Sequence, residues 1–240
     1  MNNNNGQQQF QRRPNTMFND YRYDMPMSRE PVEGAKYPAR WTWEFGLDGK
    51  IYFKVNDGVF GASDKNAKLK EVQLSTHDRG ALFGLIREAC DNKDFVKSQY
   101  QVKQITFGAG GRLNDHPSTL ATFTIMRTSE GKICVGYTKS TYKVMFEFNS
   151  PFESLIMVQK DGEPVEDKGL MSRMYAIAFI EHSAKFLDAY EWDHYQPRQK
   201  KEDNNNNRGG NNYNNNNRNN GGGNNRAPAP ADFDDEDIDF

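Results

Sequence analysis

Both ends of this chain are too poor in apolar residues to fold, which confines any core to the middle. Residues 2–5 are all Asn and residues 7–9 all Gln. Near the other end, residues 204–225 are Asn and Gly, broken only by Arg208, Tyr213 and Arg218. Ordering a residue costs about 1–2 kcal/mol of chain entropy, and such segments have no apolar surface with which to offset it. The expectation is a disordered Asn/Gln-rich arm over 1–35, a single domain over 36–196, and a disordered Asn/Gly linker over 197–231. The stretch 36–196 is one domain's length and is rich in Val, Ile, Phe, Tyr and Met.

Within that stretch, apolar residues alternate along strands and recur at helical spacing in two places. Trp41-Thr42-Trp43-Glu44-Phe45 puts both Trp and Phe on one face, and Asp48-Gly49 signals a hairpin into Ile51-Tyr52-Phe53-Lys54-Val55. Asp57-Gly58 is a further turn, and Glu71-Val72-Gln73-Leu74 a short strand. Ser75 followed by Asp78 has the spacing of a capping box, with Leu82, Phe83, Ile86, Ala89 and Cys90 on one helical stripe behind it. The second half reads as strands over 100–107, 122–127, 132–138 and 142–148, with hairpin turns at Glu130-Gly131 and Asp161-Gly162. A helix over about 171–190 follows, with Met174, Ile177, Ala178, Ala184 and Leu187 among its apolar positions. Strands followed by a helix, given twice, predict an α+β fold of antiparallel β-sheets with two helices and a duplicated plan.

The chain ends on Asp232, Phe233, Asp234, Asp235, Glu236, Asp237, Ile238, Asp239 and Phe240. These nine residues carry six acids and no base. Without those six, 27 of the 33 acids remain against 31 bases, a net of +4 where the whole chain has −2. A mildly basic body with an acidic tip points to nucleic acid or acidic partners, with the tip as a competing internal anion. The tip resembles the carboxy-terminal tip of single-stranded-DNA-binding proteins of bacteria and their phages. That resemblance implies recruitment of replication, recombination or repair enzymes through residues 232–240, competition between tip and DNA, and residence in the cytoplasm of a bacterial or phage-infected cell.

The order of strands and helices over about 38–190 resembles the Whirly and transcriptional-coactivator family of single-strand binders. Proteins of that type often assemble as tetramers, so a homo-oligomer is left open. The alternative is an OB-fold with insertions, a five-stranded barrel also used for single strands.

Single-strand binding calls for cations along a groove and aromatic faces on which bases stack. Alternation sends Tyr52 and Lys54 outward from Ile51, Phe53 and Val55, and Lys143 outward from Tyr142, Val144 and Phe146. Lys132 opposes Ile133 and Val135, Arg127 and Lys139 flank one hairpin, Lys103 lies on a strand, and Arg112 tips a Gly-rich loop. The candidate DNA-binding set is therefore Trp41, Trp43, Tyr52, Lys54, Lys103, Arg112, Arg127, Lys132, Lys139 and Lys143. Lysines also alternate outward in any half-solvated sheet, and the two Trp fit a core at least as well.

No catalytic chemistry stands out. Phe107-Gly108-Ala109-Gly110-Gly111-Arg112 lacks the Gly-Lys-Ser/Thr ending of a phosphate loop. The four His and two Cys have no zinc spacing, so no metal or cofactor is expected. Two cysteines are too few for a disulfide framework, and there is no apolar run of about 18 residues to span a membrane, nor a signal core. The expectation is a non-catalytic single-stranded-DNA-binding protein. The alternatives are an RNA-binding or transcription-regulating protein, for which Arg208-Gly209-Gly210 speaks, and a structural protein assembled through its tails.

Overall fold

The computed structural model describes residues 13–107, 111–150 and 154–197. The acidic tip, most of the linker and residues 1–12 lie outside the described residues. The first unit, Met1–Pro197, is described here by itself.

Its strands are β1 (Met27–Ser28), β2 (Arg40–Phe45), β3 (Ile51–Asn56) and β4 (Glu71–Gln73), followed by helix α1 (Thr76–Asp91). Strands β5 (Lys97–Gln104), β6 (Ser118–Arg127), β7 (Ile133–Lys139) and β8 (Tyr142–Glu147) come next. A hairpin of β9 (Met157–Lys160) and β10 (Glu163–Glu166) then precedes helix α2 (Lys168–His194). The eight strands β1 to β8 form one antiparallel sheet in the order β4-β3-β2-β1-β8-β7-β6-β5, and β9 and β10 pair separately. The fold is thus α+β, as the sequence pattern predicts.

The sheet curls on itself. In sheet order β3 and β7 are four strand spacings apart, about 19 Å in a flat sheet. Yet the rings of Phe53 on β3 and Tyr137 on β7 have centroids 4.5 Å apart, and Phe53 and Phe123 on β6 are 5.0 Å apart. The inward faces of β2, β3, β6, β7 and β8 therefore converge on one aromatic core, with Trp41 4.9 Å from Phe53 and 5.6 Å from Phe146. Two polar struts close the curl. Tyr137 Oη donates to the Leu69 carbonyl at 2.9 Å, and Lys139 Nζ donates to the Glu71 carbonyl at 2.7 Å. Below them, buried Lys70 bridges Asp57 (2.6 Å) and Asp64 (2.7 Å), and Tyr142 donates to Asp57 at 3.1 Å. This network organises residues 57–70, so Asp57-Gly58 opens a long excursion rather than a tight hairpin.

Both helices cover the core. On α1 the buried residues include Leu82, Phe83, Ile86, Ala89 and Cys90, the stripe that the spacing predicts. The capping box is present: Ser75 Oγ accepts from the Asp78 amide, and Asp78 accepts from the Ser75 amide at 2.9 Å. Helix α2 buries Leu187 as expected, with Ile177 and Ala184 packed at the margin of the core, but its buried stripe is rotated from the expected one and Ala178 is exposed. Its buried stripe is Gly169, Ser172, Ala176, Ile180, Ser183, Leu187 and Tyr190, and Met174 is exposed. Small residues let the helix lie close to the sheet. Ser172 Oγ accepts from the Ile133 amide at 3.0 Å, and a Cβ on Gly169 would collide with the Glu130 carbonyl.

The domain starts earlier than residue 36. Phe18 is 1% exposed and packs edge-on against Tyr23 and Phe186 of α2. Residues 27–28 form β1, which pairs with both β2 and β8 and so joins the two halves of the sheet. Isolated apolar residues in a polar stretch carry no periodicity, so this segment is invisible to pattern reading. Cys90 and Cys134 are free and buried, and burial pushes both thiols up to about 11. Among the described residues no helix is long and apolar enough to cross a membrane.

Candidate nucleic-acid interface

The ten candidate residues divide by environment. Trp41 and Trp43 are 0% exposed and belong to the core, so neither offers a face to a base. Their indole N–H groups are buried without a hydrogen-bond partner; ring packing alone holds them. Arg127 is half-buried and caps α1. Its Nη1 donates to the carbonyls of Ala89 (3.0 Å), Cys90 (3.1 Å) and Asn92 (2.8 Å), groups that a helix C-terminus leaves unpaired. Lys139 closes the curl, and burial, outweighing Glu71, pushes its pKa down. It sits at the end of β7 beside β8, whereas Arg127 pairs with Ile133 at the opposite end, so the two do not flank one turn.

Lys54 and Lys132 do point outward, but each has an acid. Lys54 pairs with Glu44 at 3.3 Å and Lys132 with Glu130 at 2.7 Å. Tyr52 lies on the outer face beneath the Arg13 guanidinium, 4.7 Å from the ring centroid. Arg13 is in turn held by Glu71 at 3.0 Å. One face of Tyr52 is therefore already stacked.

Lys103, Arg112 and Lys143 are exposed and make no ion pair among the described residues. All three lie on the β5–β8 half of the sheet or on the loop joining β5 to β6. Register places the outward residues in cross-strand rows. Lys143, Thr138, Thr122 and Gln101 form one row, and Met145, Gly136, Thr124 and Gln99 the next. A third row ends at Lys97 on β5, opposite Met126. This face carries hydroxyl and amide groups in its middle, with Lys97, Lys103 and Lys143 at its margins and one acid, Glu147, at the β8 end of the third row. Gly136 adds no side chain, and the Met145 methyl leans over it.

Beyond the first row, at the end of β5 away from Lys97, the β5–β6 hairpin continues as an arm. A register shift between Val102 and Lys103 bends it, and Phe107 then bridges Leu113. Thr106 holds the base of the arm, accepting from Asn114 Nδ2 at 2.9 Å and meeting Ser118 Oγ at 2.9 Å. Phe107 is 71% exposed, and Ile105 and Leu113 are also bare. Three large apolar side chains are thus exposed together on the segment that carries Lys103 and Arg112. Phe107 is an exposed aromatic that sequence reading passed over. The signal was present as apolar residues flanking a Gly-rich run, with Phe107 read as the last residue of a strand and the run after it as a loop. Lys97 was missed because β5 begins three residues before the predicted strand.

A hydrogen bond ties this half to α1: Tyr100 Oη donates to Asp78 at 2.7 Å. Burial and the bond to Asp78 push the Tyr100 phenol up to about 12. Burial works to raise the Asp78 carboxyl, but Ser75 and Tyr100 together hold it below the usual carboxylate range. Among the described residues no group of three or more His, Cys, Asp or Glu side chains is placed to hold a metal ion. No protein-family model, curated protein or solved structure matches the chain.

Proposed function

We propose that this protein binds single-stranded DNA without catalysis, in replication, recombination or repair, and that its acidic tip recruits partner enzymes and competes with the strand. The observation that carries the reading is the pairing, in one chain, of that tip with a sheet face rimmed by uncompensated cations. The strand runs over the outer face of β5–β8, with Lys97, Lys103, Arg112 and Lys143 against phosphates and Phe107 against a base. Gln99, Gln101, Thr122, Thr124 and Thr138 supply sequence-tolerant hydrogen bonds. The curled antiparallel sheet is compatible with an OB-like fold. The two runs of strands, each followed by a helix, speak for the Whirly-like plan, to which the OB-fold is the alternative. The tip, at residues 232–240, screens the cationic face when no strand is bound and is released when one is.

Four phosphate-neutralising cations on a single strand give a slope of log affinity against log salt of about −3. Raising salt fourfold then weakens binding about 50-fold. The test measures binding of the full chain and of a 232–240 deletion to single-stranded DNA, duplex DNA and RNA of equal sequence across salt. Single-strand preference, the stated slope and tighter binding after deletion are expected. Preference for duplex, or weaker binding after deletion, refutes the reading; preference for RNA moves it to the RNA-binding alternative that Arg208-Gly209-Gly210 favours.

A further inference from the structure

The last turn of α2 displays aromatic surface that neither the fold nor the proposed strand path uses. Trp192 is 86% exposed and Tyr195 70% exposed. With Thr76, Asp188 and Glu191 they line a cavity of about 570 Å³ at the start of α1. An exposed Trp beside a Tyr is the composition of a binding hot spot, not of a solvated helix end.

The charge around this cavity is negative. Asp188, Glu191 and Asp193 lie within two turns of α2, and among the described residues the guanidinium paired with them, Arg79, is buried. Arg79 is committed to Glu191, to the Leu74 carbonyl at 3.2 Å and, more loosely, to Asp188 at 3.5 Å. Thr76 Oγ1 also donates to Glu191 at 2.7 Å. Burial works to raise the Glu191 carboxyl, but Arg79 and Thr76 hold it below the usual range, so it stays charged. Asp188 keeps two thirds of its side chain in solvent. Electron-rich ring faces next to a fixed carboxylate and a largely exposed, loosely held one suit a cation on a flexible stem. An Arg or Lys side chain would stack on the indole, the strongest cation–π partner, and direct its N–H groups to Asp188. A nucleic-acid strand is repelled by the same carboxylates.

We infer that Trp192, Tyr195 and Asp188 form a docking site for an arginine- or lysine-bearing segment of a protein partner. The site is separate from the β5–β8 face and independent of whether that face binds DNA.

Trp192 reports on its own site, because Trp41 and Trp43 are fully buried. Acrylamide quenching of the full chain is measured with and without a tetra-arginine peptide, with Trp192→Phe identifying the quenchable emission. The peptide is expected to lower the quenching constant of that emission at least twofold. Asp188→Asn, at an exposed position that leaves the Arg79–Glu191 pair intact, is expected to raise the peptide concentration required at least threefold. The inference is overturned if tetra-arginine leaves quenching unchanged, as it would if the peptide bound only the acidic tip. It is equally overturned if an uncharged Gly/Ser peptide or a single-stranded oligonucleotide protects as well. Protection that grows with protein concentration alone would instead assign the surface to a second copy of the chain.

Discussion

Replacing Arg127 separates two roles that the sequence left superimposed, strand contact and helix cap. Its Nη1 has two hydrogens for three carbonyl oxygens, at 2.8–3.1 Å, so it makes about two full hydrogen bonds at any instant. Bonds from a charged donor are each worth about 1.5–3 kcal/mol net. Water re-solvates part of the loss at this half-buried site, while the guanidinium also complements the negative end of the α1 dipole, worth about 0.3–1 kcal/mol. Arg127→Ala is therefore expected to destabilise the domain by about 2–3 kcal/mol. In urea, with a slope of about 2 kcal/mol per molar, the midpoint falls by about 1 M with the slope unchanged. Arg127→Lys keeps the charge but not the fork, and is expected to fall between wild type and Ala. Under native conditions both variants should bind single-stranded DNA within about twofold of wild type. An unchanged midpoint together with a tenfold loss of affinity would refute the capping role and return Arg127 to the interface.

Three further outcomes follow from the same geometry. Trp43→Phe removes a buried N–H that has no partner, so it is expected to cost under about 1.5 kcal/mol, whereas Trp43→Ala costs about 3–5 kcal/mol; urea unfolding of the pair checks this, and equal losses would mean the indole N–H is satisfied. Phe107→Ala, at a bare position, should change stability by less than about 0.5 kcal/mol. It should weaken single-strand binding by about 1–3 kcal/mol, read by fluorescence anisotropy, if a base stacks on the ring. Asp78 is held below its unfolded value, so its contribution is complete above that unfolded value and disappears as pH falls through the folded one. Thermal melts between pH 6 and pH 2 should accordingly show a shallower acid slope for Asp78→Asn than for wild type, and parallel slopes would discount the capping box as an acid-sensitive element.

What was legible in the sequence is what repeats along it. Alternation gives the inward and outward faces of β3 and β8 residue by residue, because a strand's side chains have period two, whereas in β2 and β7 Thr42, Cys134 and Gly136 of the outward phase are buried too. Ser75 and Asp78 announce α1 because both halves of the capping box are local. The misassigned residues depend on distant chain. Arg127 shares the inward phase of Phe123 and Ile125, yet a charged residue at a strand end reads as solvated until the α1 C-terminus is brought to it and makes it a cap. Lys139 reads as a surface lysine until the curl brings the Glu71 carbonyl to it. Helix α2 misled for a different reason: Gly169, Ser172 and Ser183 look like an exposed face, yet close packing against a sheet selects for small side chains as well as apolar ones. Residues 13–35 hold two buried core residues, Phe18 and Met25, and a two-residue strand, too little for any periodicity to report.

The curl also constrains where a ligand can lie. Trp41, Phe53, Phe123, Tyr137 and Phe146 meet ring to ring inside it, leaving the concave side no room for a strand of nucleotides. Only the opposite pleat of the same strands is free, so each of β6, β7 and β8 carries core residues and candidate contacts in strict alternation. Phe123 is flanked by Thr122 and Thr124, Tyr137 by Gly136 and Thr138, and Val144 by Lys143 and Met145. A one-residue slip would exchange the two sets entirely, so the aromatic core that stabilises the domain also fixes which hydroxyls and lysines face solvent. At the β5–β6 edge the shift at Val102 and Lys103 breaks this alternation. Bulges bend strands and re-aim side chains, and here the bend begins the arm that carries Phe107 and Arg112. The polar middle of the face is set by core packing, while its aromatic and cationic edge depends on a local irregularity, so the two are free to vary independently by substitution.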